Sequence, residues 1–315
     1  MEKNSDLYNF TQTVQGQVFY AAFLTNITQE QRDDWTNRPP VMNIKRGYAE
    51  SPNWIFVQAL EFAPEPLTVE RFRKRAVYSS ESLTAALLEL LASEQYFDRI
   101  GNEYHLTEKG HEAAHKIGDF RITAFDGFEP IPGDEIGILV GYTKRIIDAS
   151  MNAGSPPGTW CLAHSRNRAP DESAPPLAHL IQHGSDFNSF RDDAHMAAFG
   201  AHGVEGHVWE AFSYVKTEQA QNAAELYEKL AYRGFYTEDW QAALNDLENR
   251  GWIAKDAENY LVNDDGLAVA KDVEVKTDAY FYAPWDVLDD DEYQELIMLI
   301  QKISEKCQAL TAQPA

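Results

Sequence analysis

The stretch FDRIGNEYHLTEKG, Phe97 to Gly110, decides the fold. Tyr96-Phe97 and Tyr104-His105-Leu106 have the composition of two short strands, and Ile100-Gly101-Asn102 between them supplies turn residues. Thr107 then stands where a helix through Ile117 begins. Upstream, Ser80 has the position of an N-cap before LTAALLELL, predicting a helix over 80–92. Leu67 to Arg75 reads as a second helix, joined to it through Tyr78-Ser79, and Trp54 to Phe62 has the apolar spacing of a third. Downstream, Asp134 to Met151 reads as a long helix with one apolar face. At the start, Val18 to Leu24 is apolar, Thr28 and Gln31 have capping-box spacing before Arg32-Asp33-Asp34, and NRPPVMNIKRG (37–47) reads as a loop.

The same order recurs about half a chain later. Ala85-Ala86-Leu87 and Leu90 match Ala242-Ala243-Leu244 and Leu247, 157 residues on. Tyr104, Gly110, Ala114 and Ile117 match Tyr260, Gly266, Ala270 and Val273 at 156. Asp134-Glu135, Leu139 and Ile146 match Asp291-Glu292, Leu296 and Ile303 at 157, and Arg32-Asp33-Asp34 matches Arg191-Asp192-Asp193 at 159. Small loop insertions account for such drift, so an internal duplication is expected. The two RDD triplets read as ion pairs that lock the flanking helices.

Three helices, a two-stranded ribbon and a further helix is the order of a winged helix. Asp98, Arg99, Leu106, Thr107 and Gly110 resemble the wing of the MarR-type family, in which an acidic-basic pair precedes a strand ending in Leu-Thr-x-x-Gly. The second copy keeps the frame with Ala254-Lys255 and Leu261 to Gly266 but not the signature. In that family, helices flanking the winged helix build a homodimer. The resemblance therefore implies a mainly α chain with small β wings: a first winged-helix repeat over 1–153, a connector over 154–176 and a second repeat over 177–315, related by a pseudo-two-fold axis and able to act as a monomer.

Composition narrows the function classes. With 27 basic and 50 acidic residues the net charge is -23, which repels phosphate and acidic membranes outside any local basic patch. Cys161 and Cys307 are too few for a disulfide framework, no run is long and apolar enough to span a membrane, and the expected compartment is the cytoplasm. The MarR likeness implies DNA binding and transcriptional regulation, for which Arg71, Arg73, Lys74, Arg75 and the wing residue Arg99 are the candidate contacts. The reading helices speak against it. Ser80 to Ala92 carries only Glu81 and Glu89, and Glu238 to Arg250 sets four acidic residues against Arg250, whereas base and phosphate contacts rely on Arg and Lys. RFRKR reads equally as a solvated helix face.

Five of the nine histidines fall between Pro176 and His207. His179 and His183 share one helix face, Gly184-Ser185-Asp186 reads as a stop and a new cap, and Asp192 and His195 share a face of the next helix. Aligned at 159, the first half has Tyr20, Leu24 and Thr36 where the second has His179, His183 and His195. Three readings stay open: hydrogen-bonded helix residues, a metal-free polar ligand pocket, or a divalent metal such as zinc held by His179, His183, Asp192 and His195. His-x-x-x-His also resembles part of the metal site of the DinB-like family, and Cys161-x-x-His164 with His179 and His183 is a rival ligand set. Trp160, Arg166 and Arg168 in the connector can hold an anionic or aromatic ligand, or form an exposed basic loop. The expectation is a ligand-responsive winged-helix regulator or binding protein with a pocket at these histidines; the alternative is an enzyme using the His and Asp cluster.

Overall fold

The computed structural model describes residues 5–36 and 53–312, so the loop expected at 37–47 and the extreme C-terminus lie outside the described residues. Eighteen labelled elements follow in chain order. They are α1 (Ser5–Thr25), α2 (Gln29–Thr36), α3 (Asn53–Phe62), α4 (Val69–Arg75), α5 (Glu81–Ser93), β1 (Phe97–Ile100), β2 (Glu103–Leu106), α6 (Glu108–Phe125) and α7 (Gly133–Ser150). Then come α8 (Trp160–Arg166), α9 (Pro176–Gly200), α10 (Gly206–Lys216), α11 (Ala223–Lys229), α12 (Thr237–Asn249), β3 (Ile253–Asp256), β4 (Asn259–Val262), α13 (Asp264–Tyr282) and α14 (Asp290–Thr311). The fold is mainly helical with two antiparallel two-stranded sheets, β1-β2 and β3-β4.

Local chemistry explains the elements around each ribbon. Thr68 caps α4 through Arg71 N, and Ser80 caps α5 through Leu83 N. β1 pairs β2 with Phe97 opposite Leu106 and Arg99 opposite Tyr104; β3 pairs β4 with Ile253 opposite Val262 and Lys255 opposite Tyr260. The helix after each ribbon starts alike. Thr107 Oγ1 accepts from Gly110 N at 3.1 Å, and Asn263 Oδ1 accepts from Gly266 N at 3.0 Å. Gly110 lies against the Tyr96 carbonyl and Gly266 against the Trp252 carbonyl so closely that a Cβ would collide with it at either position. Left-handed backbone also recurs, at Gln95 and Gly251 after α5 and α12 and at Gly101 and Ala257 in the two ribbon turns.

The chain forms two compact units, each drawing on both halves of the sequence. Among the described residues the first comprises 5–36, 113–194 and 278–312; the second comprises 53–112 and 195–277. In the first unit the core is built from α1, α7, α9 and α14 around Val18, Leu139, Phe187, Phe190, Phe281, Trp285 and Ile303. Arg145 on α7 binds Glu292 on α14 at 2.5 Å, and Lys302 on α14 binds Glu135 on α7 at 2.5 Å. Arg145 and Lys302 are 157 residues apart, as are Glu135 and Glu292. The core of the second unit gathers Phe199, Trp209, Phe212, Leu226, Trp240, Leu244 and Trp252, with Val77 and Tyr78 packed against it.

Two local expectations are corrected. No stop occurs at Gly184: α9 is continuous, and Gly184 is the place where the Gln15 side chain of α1 lies on the helix and donates to Ile181 O at 2.9 Å. Asp186, read as a cap, is a buried carboxylate. The connector contains a helix, α8, whose first N–H groups at Cys161 and Leu162 are taken by the Asp193 carboxylate at 2.8 and 3.0 Å. The RDD triplets also differ in use. Arg191 pairs with Asp278 at 3.0 Å, whereas Arg32 donates to the carbonyls of Leu24 and Ile27, and Asp193 caps α8.

Candidate functional site

In the second unit a turn joins α4 to α5, and the cations of α4 are held by the protein's own groups. Arg71 reaches Glu65 at 2.5 Å and Pro66 O; Arg73 reaches Glu81 at 3.4 Å and Lys74 reaches Glu70 at 3.6 Å. Arg75 lies over the Trp54 ring at 5.8 Å. On the wing, Arg99 binds Glu89 and stands 5.9 Å from the Tyr104 ring centre; at the matching position Lys255 stands 5.8 Å from Tyr260. Glu81 and Glu89, the two charged residues of α5, are thus the partners of Arg73 and Arg99.

What the α4–α5 turn itself touches is the corresponding segment ahead of α12. Ser80 N donates to Arg233 O at 2.8 Å and Ser80 Oγ donates to Gly234 O at 3.0 Å. The Arg233 guanidinium lies over Tyr78 at 5.3 Å and forks onto Glu210 at 2.7 and 3.0 Å. Two glycines make the approach feasible. A Cβ on Gly234 would collide with Leu83 and Ser80, and one on Gly206 would collide with the Val77 carbonyl. Gly234 also has φ 79°, a conformation that favours glycine. Ser80 is buried as a result.

In the first unit, α9 presents His183 to α7. Its Nδ1 is 2.8 Å from Thr143 Oγ1, and that hydroxyl is also 2.9 Å from Leu139 O. Burial, followed by the Arg166 charge, pushes the imidazole down to about 3, so it is neutral near pH 7. His179 is half-buried on the same helix. One turn beyond His183, Asp186 accepts from Arg166 at 2.6 Å, from Ser165 at 2.7 Å and from Gln182 at 2.9 Å, while its burial pushes the carboxyl up. Arg166, expected to hold a ligand, is therefore engaged by Asp186. The Trp160 ring lies tilted against His164 with centroids 4.4 Å apart, and the Arg168 backbone N–H donates to Ser165 O.

His195 belongs to the second unit. Trp209 donates its indole N–H to Nε2 at 3.0 Å, so that nitrogen carries no proton. The ring is the Nδ1–H tautomer, facing Thr277 Oγ1 at 3.2 Å, and the Thr277 hydroxyl donates to Val273 O at 2.8 Å. With its Nε2 lone pair used by the indole, His195 has no ring nitrogen left for a metal. Asp192 is half-buried on α9. Among the described residues no group of three or more His, Cys, Asp or Glu side chains is placed to hold a metal ion.

A small apolar cleft, partly open to solvent, lies in the first unit beside Thr143 and Gly184. Sequence reading pointed to the neighbourhood through His183 but missed Thr143, Gln15 and Ile300, which line it. It also missed the contact between the turns, for which Gly206 and Gly234 were the available signal.

Among the described residues no helix is long and apolar enough to cross a membrane. The profile of the Helix-turn-helix family matches residues 139–314, more than half of the chain. Neither the curated proteins nor the solved structures contain a match.

Proposed function

The chain belongs to the helix-turn-helix family, and on that premise we propose that it is a small-molecule-binding member, a covalent pseudo-dimer of two winged-helix repeats that does not read DNA with α5 and α12. The observation that carries this reading is the bonding of Ser80 to Arg233 and Gly234. A reading helix enters the major groove by its N-terminal residues, and paired modules reach half-sites about one turn, ~34 Å, apart. Here Ser80, the cap of α5, is buried against the segment that leads into α12, and the approach is made tight by two glycines. The acidic faces of both helices and the net charge of -23 weigh in the same direction.

Several observations support the pseudo-dimer. In a two-fold interface, if residue i touches j' then i' touches j. Arg145 with Glu292 and Lys302 with Glu135 have that reciprocity in the frame that aligns the halves. The matching caps, glycines and wing cations of the two ribbons fit the same reading. Fusion supplies both copies in one chain, so a monomer suffices. The ligand site belongs in the first unit near His179 and His183, where the second half differs chemically from the first.

Fluorescence anisotropy with labelled duplexes, promoter fragments included, tests the DNA part at about 50 and 200 mM salt. The expected result is no saturable complex at either. A complex weakening steeply between the two, and lost in Arg73→Glu with Arg99→Glu, would favour the second reading, in which the wing cations Arg99 and Lys255 contact DNA. Those two cations at matched register positions are the observation on its side.

A further inference from the structure

We propose that residues 230–236 form a latch over the start of α5, held shut by Arg233, and that this latch opens while α5 and α12 stay folded. The proposal goes beyond the small-molecule reading and does not depend on it.

The latch is an elaboration of one turn. Residues 76–80 join α4 to α5, whereas the longer segment 230–236 joins α11 to α12. That segment includes a 3-10 turn, Ala231–Arg233, followed by Gly234 in the left-handed region. Arg233 and Gly234 are the residues that reach Ser80: Arg233 O accepts from its N–H and Gly234 O from its hydroxyl. Val77 and Tyr78, just before Ser80, pack against the core that holds Trp240 and Leu244.

Arg233 sets the position of this segment. Its guanidinium forks onto both carboxylate oxygens of buried Glu210 on α10 and lies over the rings of Tyr232 at 4.7 Å and Tyr78 at 5.3 Å. Tyr78 belongs to the α4–α5 turn, so one side chain ties α10, the latch and that turn together. The hold is polar. Burial pushes the Glu210 carboxyl up, against the lowering by Arg233, so desolvation offsets much of the attraction within the pair. Loss of either partner leaves the other charge buried and uncompensated, which makes the closed state sensitive to a single side chain.

The two helices do not need the latch. Ser80 Oγ accepts from Leu83 N and Ser80 O accepts from Thr84 N, so α5 stays capped by its own residue when Gly234 withdraws. At the start of α12 the Asp239 carboxylate accepts from Tyr236 N. Opening breaks the two bonds of Ser80 and the contact of Arg233 with Tyr78, leaves both helix starts bonded, and uncovers Val77, Tyr78 and Ser80.

Amide hydrogen exchange resolved to single residues tests this on the full chain. The Ser80 N–H precedes the helix and donates to Arg233 O, so its exchange reports the latch, while Leu88 within α5 reports the helix. In the wild type Ser80 should exchange about tenfold or more slower than an unstructured amide and about tenfold or more faster than Leu88, as local opening requires. Arg233→Ala should speed Ser80 by about tenfold or more, the weight of a bond to a charged group, and leave Leu88 unchanged. Glu210→Gln, which keeps the shape and removes the charge, should act in the same direction. A wild-type Ser80 as fast as an unstructured amide would mean that the latch is not shut, and one as slow as Leu88 that the turns part only when the helix unfolds; either overturns the proposal. So does a Ser80 rate unmoved by both substitutions. If neither variant folds, the wild-type comparison decides alone. A saturable, salt-sensitive duplex complex in the anisotropy assay would overturn the small-molecule reading and leave the latch standing.

Discussion

Arg145 and Lys302, 157 residues apart, face one another's helices with the same purpose: Arg145 holds Glu292, the counterpart of Glu135, and Lys302 holds Glu135. The pairs are partly exposed and contribute little individually to stability. Their value is diagnostic, because one helix pair carries both halves of a reciprocal contact. On the proposed pseudo-dimer, the covalent link between the two repeats is expected to be dispensable.

A chain cut after Gly154, with both pieces co-expressed, should yield a one-to-one complex. Arg145→Glu combined with Lys302→Glu should lower the recovery of that complex, and adding Glu292→Arg and Glu135→Lys should restore it. Pieces that purify separately under all conditions would refute the pseudo-dimer.

Acid should act through His183. The unfolded ring protonates near its ordinary value of 6.5 and the folded ring at about 3, because burial disfavours the charged form. Between those values the unfolded chain holds the extra proton, so this residue's contribution is intact above about pH 6.5. It is lost as pH falls toward 3, by up to ~1.4 kcal/mol per pH unit. Urea midpoints of wild type and His183→Gln, measured from pH 7.5 down to about 4.5, should converge as the pH drops. A constant difference across that range would contradict the assignment.

The glycine pattern gives opposite signs at matched sites. Ala257 adopts φ 54° where the other ribbon has Gly101, so Ala257→Gly should raise stability by up to ~1 kcal/mol. Gly234→Ala should cost ~2 kcal/mol or more, because the new methyl meets Leu83 and Ser80. Denaturant titration measures both. A neutral Gly234→Ala would mean that the turns can move apart freely, which would undermine the argument against DNA reading.

For His195, removal of the acceptor should matter more than removal of any metal. His195→Phe leaves the buried Trp209 indole N–H without its partner, at a cost of ~1–3 kcal/mol, whereas His195→Gln should recover part of it. Melting curves with and without a strong chelator should superimpose; a chelator-induced drop that His195→Gln abolishes would revive the metal reading.

Much of α4, α5 and the first ribbon was legible because its signals are local. Thr68, Ser80 and Thr107 bond within three residues of themselves, and Gly101 marks its own turn. What was not legible depends on distant partners. Asp193 caps α8 from 31 and 32 residues away, and Gly184 looks like a terminator until Gln15 arrives from 169 positions earlier. The histidines could be located by comparing the halves, but their roles could not. His183 is defined by Thr143 and His195 by Trp209, neither of which shares its helix.

In the proposed pseudo-dimer, the pairing of Thr143 with His183, where the counterpart positions carry Ile300 and Leu24, has a consequence for how a helix interface can change over time. In a homodimer every mutation is expressed twice, so a polar group introduced next to the axis meets a copy of itself, and a lopsided ligand can bind in two equivalent orientations. Once both copies share one gene, each can mutate alone. A single substitution can then give a symmetric crevice a head and a tail, and selection can act on the binding of one asymmetric molecule in one orientation.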